Sequence, residues 1–147
     1  MGSMQPPVVK QGESWRCWAA CMESWSYISY YWPNTDQEKF QENYGTANGG
    51  LDTNSGSFSQ FLNKFNLDFD LYNAGTFTVD AASRYLNGAG YFMFVEFIGG
   101  KISHARLAWG VQDGVLHAME PMPGRPDYIT GKPEALGRLM IVYWAGY

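Results

Sequence analysis

The chain changes character at Tyr91. Beyond it lie four β-type runs rich in aromatic and branched residues, at 91–98, 102–109, 115–120 and 139–144. Gly99-Gly100 and Asp113-Gly114 separate the first three as two-residue hairpin turns, which forces antiparallel pairing. Before Tyr91 the pattern is helical. From 15 to about 31, Trp18, Cys21, Met22, Trp25 and Ile28 recur near the 3.6-residue period, with Ser14 as the expected N-cap and Pro33 closing the segment. Thr35-Asp36-Gln37-Glu38 reads as a capping box for a short helix to about Tyr44, followed by a Gly/Asn/Thr loop over 45–56. Ser57 to Gln60 opens a helix ending near Phe65, and 78–87 forms a fourth, stopped by Gly88. Residues 69–72 add an edge strand. Helices first and an antiparallel sheet second predict an α+β fold. No repeat, low-complexity tract or linker interrupts it, so one domain is expected.

The composition suits a single core: of 147 residues, 46% are hydrophobic, 17% aromatic and only 16% charged. A net charge of −4 without a Lys/Arg cluster argues against a nucleic-acid partner. The longest apolar run, YFMFVEFI, has the length of a strand and carries Glu96, far short of the roughly 20 residues of a membrane span. Met1-Gly2-Ser3-Met4 lacks the basic start and apolar stretch of a signal peptide. Those four residues are expected to be an expression scar, leaving 5–147 as the domain and room for a longer natural chain.

Both cysteines fall within KQGESWRCWAAC, four residues apart. At helical spacing their Cβ atoms would lie about 5–6 Å apart, too far for a disulfide, which needs roughly 3.5–4.5 Å. A zinc site takes about four ligands. His104 and His117 are distant in sequence and no Cys-x-x-Cys pair exists, so neither metal nor cofactor is expected. What remains is packing or nucleophilic chemistry. Cys17 stands in the first helical turn, where unpaired N–H groups and the helix dipole favour thiolate. Cys21 is one turn deeper and is expected to pack. Taken alone, Cys17 reads more readily as a buried hydrophobe than as a nucleophile.

Gln11, followed six residues later by Cys17-Trp18-Ala19-Ala20-Cys21, resembles the active-site segment of papain-like cysteine peptidases. It is most similar to a bacterial branch containing type III effector peptidases and relatives of the C39-type bacteriocin-leader peptidases. The resemblance implies that Cys17 attacks and that Gln11 helps form the oxyanion hole. It also calls for a histidine early in a central strand and an Asn or Asp on a neighbouring strand. His104 follows Gly-Gly-Lys-Ile-Ser, and Glu120 comes sixteen residues later, before Pro121. Two positions depart from the family: Glu120 replaces Asp or Asn, and Arg16 replaces a small residue. If Glu120 cannot reach His104, Asp113 or a main-chain carbonyl would orient the ring. His117 differs from 120 by an odd number, so it points the other way along a strand and is read as structural.

The resemblance thus implies a minimal papain-like fold, an N-terminal catalytic helix on a C-terminal sheet. Its activity would be that of a cysteine endopeptidase acting on a protein or peptide. By family analogy the expected setting is a bacterial effector or toxin domain, delivered by a secretion system into a target cell's cytoplasm and countered by an immunity protein. C39-type relatives cut after paired glycines. The bulk of Trp15, Arg16 and Trp18 around Cys17 predicts Gly or Ala before the cut bond, with Arg16 covering one side of the groove or pointing to solvent. The same Cys-His-acid set also serves amidases, deamidases and transglutaminase-like enzymes, and a decayed site would leave a binding module. Trp18 is expected to pack behind the nucleophile, and Trp109 to lie in the core.

Overall fold

Strand β2, Phe92–Ile98, is buried on both sides because alternate residues serve two different cores. Met93 and Val95 face one and Phe92 and Phe94 the other, as the two-residue period of a strand requires. The computed structural model describes residues 3–13, 15–46, 50–98 and 101–146. They form α1 (Cys17–Ile28), α2 (Gln37–Tyr44), α3 (Gly56–Phe65), β1 (Leu67–Tyr72), α4 (Val79–Ala89) and β2, and then β3 (Lys101–Gln112), β4 (Val115–Met119), β5 (Tyr128–Gly131) and β6 (Leu139–Trp144). The six strands make one sheet in the order β1-β6-β2-β3-β4-β5, antiparallel throughout. Helices α1 to α3 cover one face through Trp18, Met22, Phe40, Phe61 and Phe65. Helix α4 covers the other through Ala81, Ala82 and Leu86. The predicted α+β class and antiparallel sheet are observed.

Several boundaries move for local reasons. Helix α1 begins at Cys17, not Trp15, because Trp15 has a left-handed φ of 69°. It ends at Ile28 because Ser29 is extended. The expected cap Ser14 lies outside the described residues, as do Gly99 and Gly100; Arg16 occupies the N-cap with no side-chain cap bond. The cap of α2 is Asp36, whose carboxylate accepts from the Lys39 N–H, rather than Thr35. Ser55 caps α3 one residue ahead of Gly56. Gly88 stays helical, and α4 leaves only at Gly90, whose φ of 81° suits a residue without Cβ. Asp113 and Gly114 have φ of 54° and 77° and make the expected tight hairpin between β3 and β4.

Two features were not expected from sequence. Strand β5 has four residues and is an edge strand paired only with β4. Strand β6 returns between β1 and β2, so the last strand is central. The β2–β3 ladder also carries a bulge: Glu96 pairs with His104 but Phe97 with Ile102, leaving Ser103 as an extra residue immediately before His104. Bulges re-aim the neighbouring side chain.

Candidate active site

The N-terminus of α1 abuts β3. Cys17 and Trp18 join the core that contains Ala105 and Leu107. The Cys17 thiol lies at the main-chain amide of Ala105, the residue after His104, and also at its own amide and that of Trp18. Trp18 is fully buried and meets the Phe61 ring edge-on at 5.7 Å, so it packs behind Cys17. Cys21 is likewise fully buried, and both thiols are free.

A helix start is expected to favour thiolate at Cys17, but burial outweighs the amides there. Burial pushes the Cys17 thiol up, the three amides pull it down, and the Glu120 charge adds to the rise. The net shift is upward, because Cys17 is 5% exposed and loses more hydration than the amides return. Cys21 is pushed well up by burial, with no amide opposing it. The two thiols differ in one respect: Cys17 faces main-chain amides that lower its pKa, and Cys21 does not.

His104 and Glu120 are brought together. The His104 Nε2 and a Glu120 carboxylate oxygen form a short buried hydrogen bond; in the tautomer with the proton on Nε2, Nδ1 is the acceptor nitrogen. Glu120 is 0% exposed yet ionised. Burial alone would raise its pKa, but His104, the Met122 N–H and the Arg106 charge outweigh it and hold the carboxyl at about 2. Its extra methylene is accommodated because Glu120 sits just past the end of β4, with the Met122 N–H closing on Oε2 at 3.1 Å. Asp113 lies in the β3–β4 turn, and His117 rests its ring on Trp109 at 5.3 Å. Trp109 itself is half-buried in the β3–β4 bulge, with its indole N–H unpartnered among the described residues.

Gln11 is carried to the same place by the entry loop. Its main-chain N–H donates to the Pro121 carbonyl at 2.8 Å. Its side-chain Nε2 donates one proton to the Glu13 carbonyl at 3.1 Å, and its buried Oε1 has no partner among the described residues. The amide keeps a second N–H to donate. Lys10 supports this loop from below, donating to the carbonyls of Glu120 (3.0 Å), Met122 (3.3 Å) and Arg125 (3.1 Å). Gln37 of α2 holds the loop from the opposite side through Lys10 O and Gly12 N–H.

Arg16 does not cover the groove. Its guanidinium folds onto α2, bonding Gln41 Oε1, and meets Glu13 at 3.3 Å. Trp15 is instead the bulky residue that stands out, 57% exposed and two positions before Cys17. Sequence reading missed Lys10, Arg106 and Arg125, all of which reach Glu120. For Arg106 a signal was present: it lies two residues from His104 between apolar Ala105 and Leu107, and so shares the histidine's side of the strand. Among the described residues no group of His, Cys, Asp and Glu could hold a metal ion. Nor is any helix long and apolar enough to cross a membrane.

No protein-family model and no curated protein matches the sequence. Solved structures do match. The peptidase domain of Streptococcus ComA, a bi-functional ABC transporter involved in a quorum-sensing pathway, superposes with a TM-score of 0.65 at 16% identity, over 95% of this chain and 99% of that one. A double glycine motif protease from an AMS/PCAT transporter, solved in complex with the leader peptide, gives a TM-score of 0.62 at 13% identity, over 98% and 95%. The chain therefore shares the papain-like α+β fold of these transporter peptidase domains.

Proposed function

We propose that the protein is a papain-like cysteine endopeptidase with Cys17 as nucleophile, His104 as base, Glu120 as the orienting acid and Gln11 as oxyanion donor. The observation that carries this reading is the buried His104–Glu120 pair, set beside a cysteine whose thiol faces three main-chain amides. In the reaction the Cys17 thiol gives its proton to His104 Nδ1 as sulfur attacks the scissile carbonyl. The oxyanion accepts from the Cys17 main-chain N–H and from Gln11 Nε2. Collapse expels the amine, which takes the proton from His104. Water, deprotonated by His104, then hydrolyses the thioester and frees Cys17.

The substrate is a protein or peptide with Gly or Ala before the cut bond. Exposed Trp15, two residues before Cys17, supports this, as does the fold shared with a double glycine motif protease. The proposed setting from sequence is a bacterial effector or toxin domain delivered into a target cell, with an immunity protein as partner. The transporter peptidase neighbours support a second setting, cleavage of leader peptides at paired glycines. One experiment tests both. Wild-type and Cys17→Ala protein are each incubated with a target-cell lysate and with peptides bearing Gly-Gly, and new N-termini are mapped by mass spectrometry. Cleavage lost in Cys17→Ala supports the peptidase; no new termini in either mixture removes it.

A further inference from the structure

The two donors proposed for the oxyanion sit on different pieces of chain. The Cys17 N–H belongs to the first residue of α1, and the Gln11 amide to the entry loop. The described residues between them belong to no helix or strand, so the spacing of the two donors needs support from elsewhere.

That support comes from Gln37, the first residue of α2. Its Nε2 donates to the Lys10 carbonyl at 2.9 Å, and its Oε1 accepts from the Gly12 N–H at 2.7 Å. The Lys10 carbonyl belongs to the peptide plane before the Cα of Gln11, and the Gly12 N–H to the plane after it. Peptide planes are rigid, so only the two backbone dihedrals of Gln11 are soft between them. One side-chain amide ties both planes. The bond from the Gln11 N–H to the Pro121 carbonyl ties the first plane again. With both planes held, the direction of the Gln11 Cα–Cβ bond is held as well. Glutamine suits this task because a carbonyl takes only a donor, an N–H takes only an acceptor, and an amide supplies both.

Helix α2 is in turn fastened to α1. The Gln37 main-chain N–H donates to Glu23 Oε1 of α1 at 2.7 Å, and Arg16, at the N-cap of α1, bonds Gln41 Oε1 of α2. The helix that carries Cys17 therefore reaches the Gln11 loop through Gln37. Gln37 is half-buried and Gly12 exposed, so water can take over either bond of the bracket. Water satisfies the groups but does not hold the planes, so loss of the bracket should show in catalysis more than in stability.

We propose that Gln37 is a positioning residue for the oxyanion donor, holding Gln11 in register with the Cys17 N–H by bonding the peptide planes on both sides of it. The inference rests on the peptidase reading. Gln37→Met keeps the length and the aliphatic stem and removes the donor and the acceptor.

The first measurement is a double-mutant cycle in kcat and KM, on a peptide the wild type cleaves. Gln37→Met should lower kcat about tenfold and leave KM nearly unchanged, as for a displaced group that acts only in the transition state. In a Gln11→Ala background the same substitution should lower kcat no further, because the donor it positions is gone. A merely structural role would lower kcat in both backgrounds, and that result overturns the proposal. So does an effect confined to KM, or wild-type kcat in Gln37→Met. The second measurement needs no turnover. The Gln11 side-chain amide gives a pair of NMR resonances, identified by their loss in Gln11→Ala. In Gln37→Met the pair should move toward the position of an unstructured glutamine while the indole resonance of Trp18, buried on α1, stays in place. An unmoved pair in folded Gln37→Met overturns the proposal. Gln37→Ala takes the place of Gln37→Met if the latter does not fold, with the same readings. If the wild type cleaves no peptide, the peptidase reading fails and the resonances alone decide whether Gln37 holds Gln11.

Discussion

The main-chain N–H of Gln11 donates to the carbonyl of Pro121 at 2.8 Å, one residue past Glu120. This bond couples the loop carrying Gln11, the proposed oxyanion donor, to the strand end carrying Glu120, the proposed orienting acid. Lys10 completes the coupling through three carbonyls of 120–125. Lys10→Met should therefore cost about 1 kcal/mol of stability, as expected for part-buried and exposed carbonyls losing a charged donor. It should also lower kcat, because Gln11 and Glu120 lose their common anchor. Urea unfolding and steady-state kinetics check both, and wild-type values in each would sever Lys10 from the site.

Cys17→Ala should abolish turnover and Cys21→Ala should not. Alkylation provides a second check. Because burial holds the Cys17 thiol up, its rate with iodoacetamide should climb through the alkaline range, while Cys21 stays unmodified in the folded protein. A fast rate that stays flat into mild acid would instead reveal a preformed thiolate–imidazolium pair.

His104→Ala should be as damaging as Cys17→Ala, and Glu120→Gln milder, since an amide oxygen still accepts from the ring. The amide cannot satisfy His104, Met122 and Arg106 together, because all three are donors. Glu120→Gln should therefore also lower stability by about 1–3 kcal/mol, read from the urea midpoint. A fully active His104→Ala protein would sink the assignment.

The acid dependence of stability follows from Glu120. Its pKa is depressed from an ordinary 4.5 to about 2, so the folded state binds fewer protons there than the unfolded chain. The stabilisation is complete above about pH 4.5 and is lost as pH falls toward 2, amounting to roughly 3 kcal/mol. Unfolding curves between those values should be steep for wild type and flatter for Glu120→Gln. Equal slopes would mean that another carboxylate dominates.

Gln11→Ala should lower kcat by roughly 10²–10³ with little change in KM, as for loss of one oxyanion donor. An effect confined to KM would make Gln11 a substrate contact instead.

Specificity should lie with Trp15. Its φ of 69° is left-handed and its indole is exposed, two residues before Cys17. Trp15→Gly removes the bulk and suits the backbone, and should admit Leu or Phe before the cut bond in a peptide library. Efficient wild-type cleavage after Phe, Leu or Arg would remove the narrow-cleft idea.

Periodicity and turn chemistry made much of this protein legible. The α+β order, the four α-helices, β2, β3, β4 and β6, and the Asp113-Gly114 hairpin follow from local patterns that need no distant partner. The candidate site residues came instead from the resemblance to papain-like peptidases, and His104 and Glu120 meet because the β3–β4 hairpin sets one strand end against the other. Tertiary structure decided the rest. The place of β6 between β1 and β2 depends on which apolar faces remain uncovered once the helices pack, and no local pattern records that. The protonation of Cys17 depends on how much water the finished fold removes, which overrode the helix-start amides. Arg106 and Lys10 reach Glu120 only because chain segments apart in sequence meet there, where a buried charge requires partners that sequence spacing cannot name.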